Sequence, residues 1–157
     1  EKVRRVPIIL ESRKSLAELV YPSSYTADTW PADRWPNFSF AEMACSEIGE
    51  CAMDKATMDR LQLLRSHYGS PLTITSGYRS PSHSIEAAKI TGPGSHVRGR
   101  AVDVACAGVD AFEVLTEALA VGFTGIGVKQ KGEHRFLHLD DLALGEHTAP
   151  RPTIWSY

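Results

Sequence analysis

Apolar positions along this chain recur with two different periods, and the switches between them outline the fold. In "DKATMDRLQLLRSHYG" Met58, Leu61, Leu64 and Tyr68 return every three or four residues. That spacing predicts a helix opening at Asp54 and closed by Gly69. "LTITS" (72–76) and "AVDVA" (101–105) are short and β-branched, so both are read as strands. Asp110 is expected to open a second long helix through Phe112, Leu115 and Leu119 to Gly122. "TGIGVK" and "RFLHLD" then read as two strands joined by the polar turn "QKGEH". Ser39 followed by Glu42 is a capping-box spacing, which predicts a short helix ending near Cys45. Residues 85–95 read as an irregular connection. The resulting expectation is an α+β domain: a small, mainly antiparallel sheet with helices packed on one side.

Ahead of this region the pattern is weaker. "ESRKSLAELV" (11–20) is compatible with a short helix, and the proline-rich "YPSSYTADTWPADRWPN" reads as an arm laid over the surface. Trp30 and Trp35 are expected to anchor it, because an exposed indole leaves a large apolar area in water. Residues 1–36 are therefore separated as an N-terminal arm from a domain spanning 37–157.

Composition narrows the function classes. Seventeen basic and nineteen acidic residues give a net charge of −2, with no basic surplus for nucleic acid or an anionic membrane. No apolar run approaches the roughly 20 residues needed to span a bilayer. A chain of 157 residues accommodates one domain with a real core, and a monomer is the expected state. The first residue is Glu1 rather than Met, so an upstream segment such as a signal peptide is expected. Cys45, Cys51 and Cys106 match no strong zinc-knuckle spacing; a Cys45–Cys51 bridge and three free thiols both stay open.

The candidate chemistry lies in "GSHVRGRAVDVA" and "FLHLD". Alternation along a strand sets Asp103 on the face opposite Val102 and Val104, and His138 on the face opposite Leu137 and Leu139. Asp140 shares the face of His138. A histidine or aspartate in such a strand is often a hydrogen-bonded structural residue. A carboxylate on a buried sheet face, however, costs several kcal/mol unless a charge or metal compensates it. His96, Asp103 and His138 together supply two imidazoles and one carboxylate. Three protein ligands with one position left open is the composition of a catalytic zinc site.

"SHVRGRAVD" resembles the signature of the zinc D-Ala-D-Ala metallopeptidases, a fold shared with lysostaphin-type endopeptidases and the hedgehog signalling domain. The likeness covers Ser95, His96, Gly99, Ala101 and Asp103. "NFSFAEMAC", "ITSGYRSPSH", "GIGV…FLHLD" and the terminal "RPTIWSY" resemble, in order, further segments of the cell-wall-acting branch. The resemblance implies one Zn2+ held by His96, Asp103 and His138, with Arg79 binding a substrate carbonyl or carboxylate. It implies a peptidase of peptidoglycan stem or cross-link peptides, of D,D- or L,D-type, acting as carboxypeptidase or endopeptidase. Arg98 and Arg100 are further cations available to a free carboxylate. An acidic residue found in several relatives three positions before the last histidine is replaced here by Arg135. Glu133 is accordingly the expected general base, with His134 and Asp140 as the other candidates. Asp140 is favoured as the group that orients an imidazole, and Ser95 as a hydrogen-bonding support. His83 is a candidate substrate contact, while His67 and His147 read as surface residues and Tyr78 as core. A peptidoglycan substrate implies a periplasmic or extracellular site of action, or a phage-encoded enzyme reaching the wall. The alternatives are a zinc-retaining cell-wall binding module without hydrolysis, which the change at Arg135 favours, and a structural virion protein.

Overall fold

The computed structural model describes residues 24–146 and 150–157. The expected 11–20 helix and His147 lie outside these residues. Helix α1 (Phe40–Met43) opens with the expected capping box, Ser39 and Glu42 each capping the other's backbone N–H. Helix α2 (Lys55–Tyr68) begins at the Asp54 cap and ends at Gly69 in the left-handed conformation. Strand β1 (Thr73–Ser76) follows, then the single-turn α3 (Ser84–Ala87), β2 (Ala101–Ala105) and helix α4 (Gly108–Val121). Strands β3 (Gly125–Lys129), β4 (Phe136–Asp140) and β5 (Thr153–Ser156) complete the chain.

The five strands form one sheet in the order β1-β2-β4-β3-β5. Every pairing is antiparallel except β3 with β5. Alternation gives this sheet two unlike faces. Val102, Val104, Ile126, Leu137 and Leu139 are buried with Met58, Leu61 and Leu64 of α2 and Ala111, Val114 and Ala118 of α4. The opposite face carries the polar residues. The antiparallel register sets Asp103 across from His138 and His138 across from Gly127, and the parallel register sets Gly127 across from Trp155.

Four details differ from the sequence reading. Helix α4 starts at Gly108 after Ala107, so Asp110 lies in its first turn, where its charge favours the exposed N–H groups. Its buried stripe is Ala111, Val114 and Ala118; Phe112 and Leu119 point outward, since a helix turns too far per residue for both sets to share one face. The terminal "TIWS" is a strand, and the connection after β1 contains α3.

The segment before α1 is packed into the same core. Trp35 is fully buried, and its indole N–H donates to Asp59. Trp30 donates to the Phe38 carbonyl, and the two indoles lie 5.0 Å apart with Tyr25 edge-on to both. Cys45, Cys51 and Cys106 are free thiols; burial pushes the thiols of Cys51 and Cys106 up to about 11. No helix among the described residues is long and apolar enough to cross a membrane.

Candidate metal centre

Gly99 adopts a positive φ of 66°, and a Cβ there would collide with the Ala52 carbonyl. The Gly99 carbonyl in turn accepts from Asp54 N–H. The glycine thus lets the loop press onto the start of α2 and places His96 above β2. On the other side, the loop after β1 wraps the same histidine: Arg79 N–H donates to the His96 carbonyl at 3.3 Å, and the Gly77 carbonyl lies 2.7 Å from His96 Nδ1.

His96, Asp103 and His138 converge as a result, all three buried. His138 Nδ1 lies 3.0 Å from Asp103 Oδ1 and 3.2 Å from His96 Nε2, and His96 Nε2 lies 3.3 Å from Asp103 Oδ1. A tetrahedral zinc with bonds of about 2.0–2.1 Å separates its ligand atoms by about 3.3 Å. The triangle therefore fits a single small divalent ion, with the fourth side open to a cleft.

The outward atom of each ligand is committed elsewhere, which decides where its lone pair points. His96 Nδ1–H donates to the Gly77 carbonyl, leaving Nε2 free. His138 Nε2 lies 3.1 Å from Asp140 Oδ2 and 3.3 Å from Ser95 Oγ; donation to the carboxylate leaves Nδ1 free. Asp103 Oδ2 accepts from Arg79 at 2.9 Å, leaving Oδ1 for the ion. Behind His138, Asp140 is gripped in bidentate fashion by Nε and Nη2 of buried Arg151, each at 2.8 Å. Gly125 leaves the volume this carboxylate fills, because a Cβ there would overlap it. A Cβ at Gly127 would fall 2.9 Å from the Trp155 indole, which backs His138 at 5.3 Å between ring centres.

The electrostatics follow from this network. Burial pushes the Asp103 carboxyl up, but the adjoining His138 and His96 imidazoles outweigh it and hold the group well below the ordinary carboxylate range. Asp140 is held low in the same way, burial being outweighed by hydrogen bonds from His138 and Arg151. Burial lowers His96, so its neutral, metal-ready form is favoured. For His138 burial also acts downward, yet Asp103 and Asp140 together raise it.

A cleft of about 290 Å³ opens over the three ligands. Arg79, Ser95 and Asp140, all singled out from the sequence, line it. Glu133 and His134 do not: both are exposed at the tip of the β3–β4 hairpin, where Lys129 donates to the Glu133 carbonyl. His83 also stands apart, since its Nδ1 caps α3 and its Nε2 faces Glu47 at 3.4 Å. Arg100 is spent on Asp141 and Glu146 away from the cleft, and Arg98 is not among its lining residues. Tyr78 is buried in the core and His67 is exposed. Arg151, Lys89, Phe136, Trp155 and Tyr157 line the cleft without having been picked out from the sequence. "RPTIWSY" was the signal for three of them. Its likeness to the family's ending carries no strand period, yet β5 holds Trp155 and leads to Tyr157 on this face.

A family model described as Peptidase M15 matches residues 36–140, from just after Trp35 to the end of β4. No curated protein matches the chain.

Proposed function

The chain belongs to the M15 peptidase family, and from that membership we propose that it is a zinc-dependent hydrolase of peptidoglycan peptides. Its substrates are stem or cross-link peptides with D,D- or L,D-type bonds, met in the periplasm, outside the cell, or by a phage enzyme at the wall. The observation that supports this most is the triangle of His96 Nε2, Asp103 Oδ1 and His138 Nδ1, at spacings suited to a tetrahedral ion and facing an open cleft.

Zinc, when bound by these three residues, supplies Lewis acidity toward a carbonyl and lowers the pKa of water to about 7. The protein's own groups prepare the rest. Asp140 holds the His138 proton at Nε2, and Arg151 holds Asp140, so the ring cannot turn its N–H toward the ion. Arg79 is anchored through Nε to Ser76 and through one arm to Asp103, while its other arm meets only Glu86, at 3.5 Å. That arm has donors left for a substrate oxygen and for the charge that develops on it. Phe136, Trp155 and Tyr157 form an aromatic wall that excludes water from one side of the cleft.

One observation favours a second reading, a zinc-retaining module that binds the wall without cutting it. Both carboxylates lining the cleft are engaged, Asp103 by Arg79 and Asp140 by Arg151 and His138, and Glu133 stands away from it. Incubating the zinc-loaded protein with purified muropeptides separates the two readings. The peptidase releases new amino groups, loses this activity to a chelator and regains it with zinc. Retention of one zinc with no amines released on any muropeptide would instead establish the binding module.

A further inference from the structure

Among the cations on the cleft wall, Arg151 is engaged by Asp140 and the Pro150 carbonyl, and Arg79 is shared between Asp103, Ser76 and Glu86. Lys89 is different. It comes from the connection after α3, lines the cleft, and keeps a third of its side chain exposed. Its Nζ donates to Glu86 Oε1 at 2.7 Å, and that same oxygen lies 3.5 Å from Arg79. Glu86 therefore ties two cationic heads into one wall from behind, with its own side chain only 2% exposed.

The hold is tight for a physical reason. Glu86 Oε2 is buried without a hydrogen-bond partner, so the carboxylate's charge is compensated through Oε1 and the two cations alone. Burial pushes this carboxyl up, but Lys89 and Arg79 together outweigh it and keep the group ionised. Gly94, which also lines the cleft, lets the backbone close over the pair: a Cβ there would sit 2.9 Å from Lys89 Nζ and 3.5 Å from Glu86 Oε2. Lys89 Nζ spends one of its three N–H donors on Glu86, so two remain for an anion in the cleft. Asp103 touches Arg79, Arg79 touches Glu86, and Glu86 touches Lys89, so the wall runs outward from the ligands in that order.

We infer that Lys89 receives the free α-carboxylate of the substrate, with Glu86 as its positioning residue, and that the site thereby selects a carboxypeptidase mode over internal cleavage. Both cations reach the same Glu86 oxygen, so a scissile carbonyl at Arg79 and a terminal carboxylate at Lys89 would be close neighbours, as in a substrate that ends one residue past the bond cut. The inference rests on the peptidase reading above and specifies where the substrate ends.

The test uses the zinc-loaded chain and pairs of stem-type peptides identical except for a free or amidated C-terminus, read by calorimetric binding and by turnover. The free acid should bind at least about tenfold tighter than the amide, as expected of one charge-assisted hydrogen bond. Lys89→Met should abolish that preference with zinc content unchanged, and Lys89→Arg should keep most of it. Glu86→Gln should raise KM for the free acid more than it lowers kcat. Equal treatment of acid and amide by the wild type, or an undiminished preference in Lys89→Met, would overturn the inference. Should no peptide be cut at all, the peptidase reading fails, yet the acid-over-amide binding difference still decides the role of Lys89.

Discussion

His138 and Asp140 lie two residues apart on one strand face, and the 3.1 Å contact between Nε2 and Oδ2 fixes which nitrogen of that imidazole is free. The ligand set depends on this pairing as much as on the ligands themselves. Arg151 completes it from eleven residues away, gripping the carboxylate that grips the ring.

Arg151→Ala is therefore expected to weaken zinc binding although Arg151 touches no ligand. Loss of a supporting partner of this kind lowers metal affinity by about 10–100-fold. Competition against a zinc-binding dye measures it; an unchanged affinity would mean that Asp140 orients His138 unaided.

His138→Ala should remove the metal outright and with it the stabilisation that zinc gives. Free zinc at about 100 times its dissociation constant adds about 2.7 kcal/mol to the folded state. Thermal melts with and without zinc should differ for the wild type and coincide for the variant. His67→Ala, at an exposed histidine facing Glu117, should melt like the wild type in both.

The pH dependence has two limbs of opposite sign. Asp103 and Asp140 are held low, so their contribution to stability is complete above the ordinary aspartate value near 4 and is lost as pH falls through their lowered values. In the metal-free protein His138 is raised; its contribution is complete below about 6.5 and is lost as pH rises through its raised value. Zinc needs the deprotonated Nδ1, so apparent affinity should rise with pH across that range, with proton release on binding. Calorimetry in buffers of different ionisation enthalpy reads the proton count; no release would contradict the assignment of His138 as a ligand.

Glu133→Gln should leave peptide turnover within about threefold of wild type, against the 10²-fold or larger loss expected of a general base. A loss of that size would show that the hairpin tip closes over the cleft during turnover.

The elements and ligands legible in the sequence are those that a repeating pattern dictates. Strand alternation was enough to set Asp103 and His138 on one face, because Val102, Val104, Leu137 and Leu139 demand the other. The Met58, Leu61 and Leu64 spacing likewise placed the buried stripe of α2. Of the three candidate bases, Asp140 lines the cleft while Glu133 and His134 stand outside it, for a geometric reason. Glu133 is near His138 in sequence, but a strand advances about 3.3 Å per residue, so such neighbours are carried away from each other. Arg151 and Lys89 come from connections without a repeating pattern, where nothing local announces a long-range partner. In α4, Phe112 and Leu119 are large and apolar, yet the smaller Ala111 and Ala118 face the core beside Val114.

Crystals grown with zinc and measured on both sides of the zinc absorption edge test the central claim most directly. One anomalous peak is predicted, about 2.0–2.2 Å from each of His96 Nε2, Asp103 Oδ1 and His138 Nδ1. A peak elsewhere, or three side chains turned from one another around no ion, would contradict it.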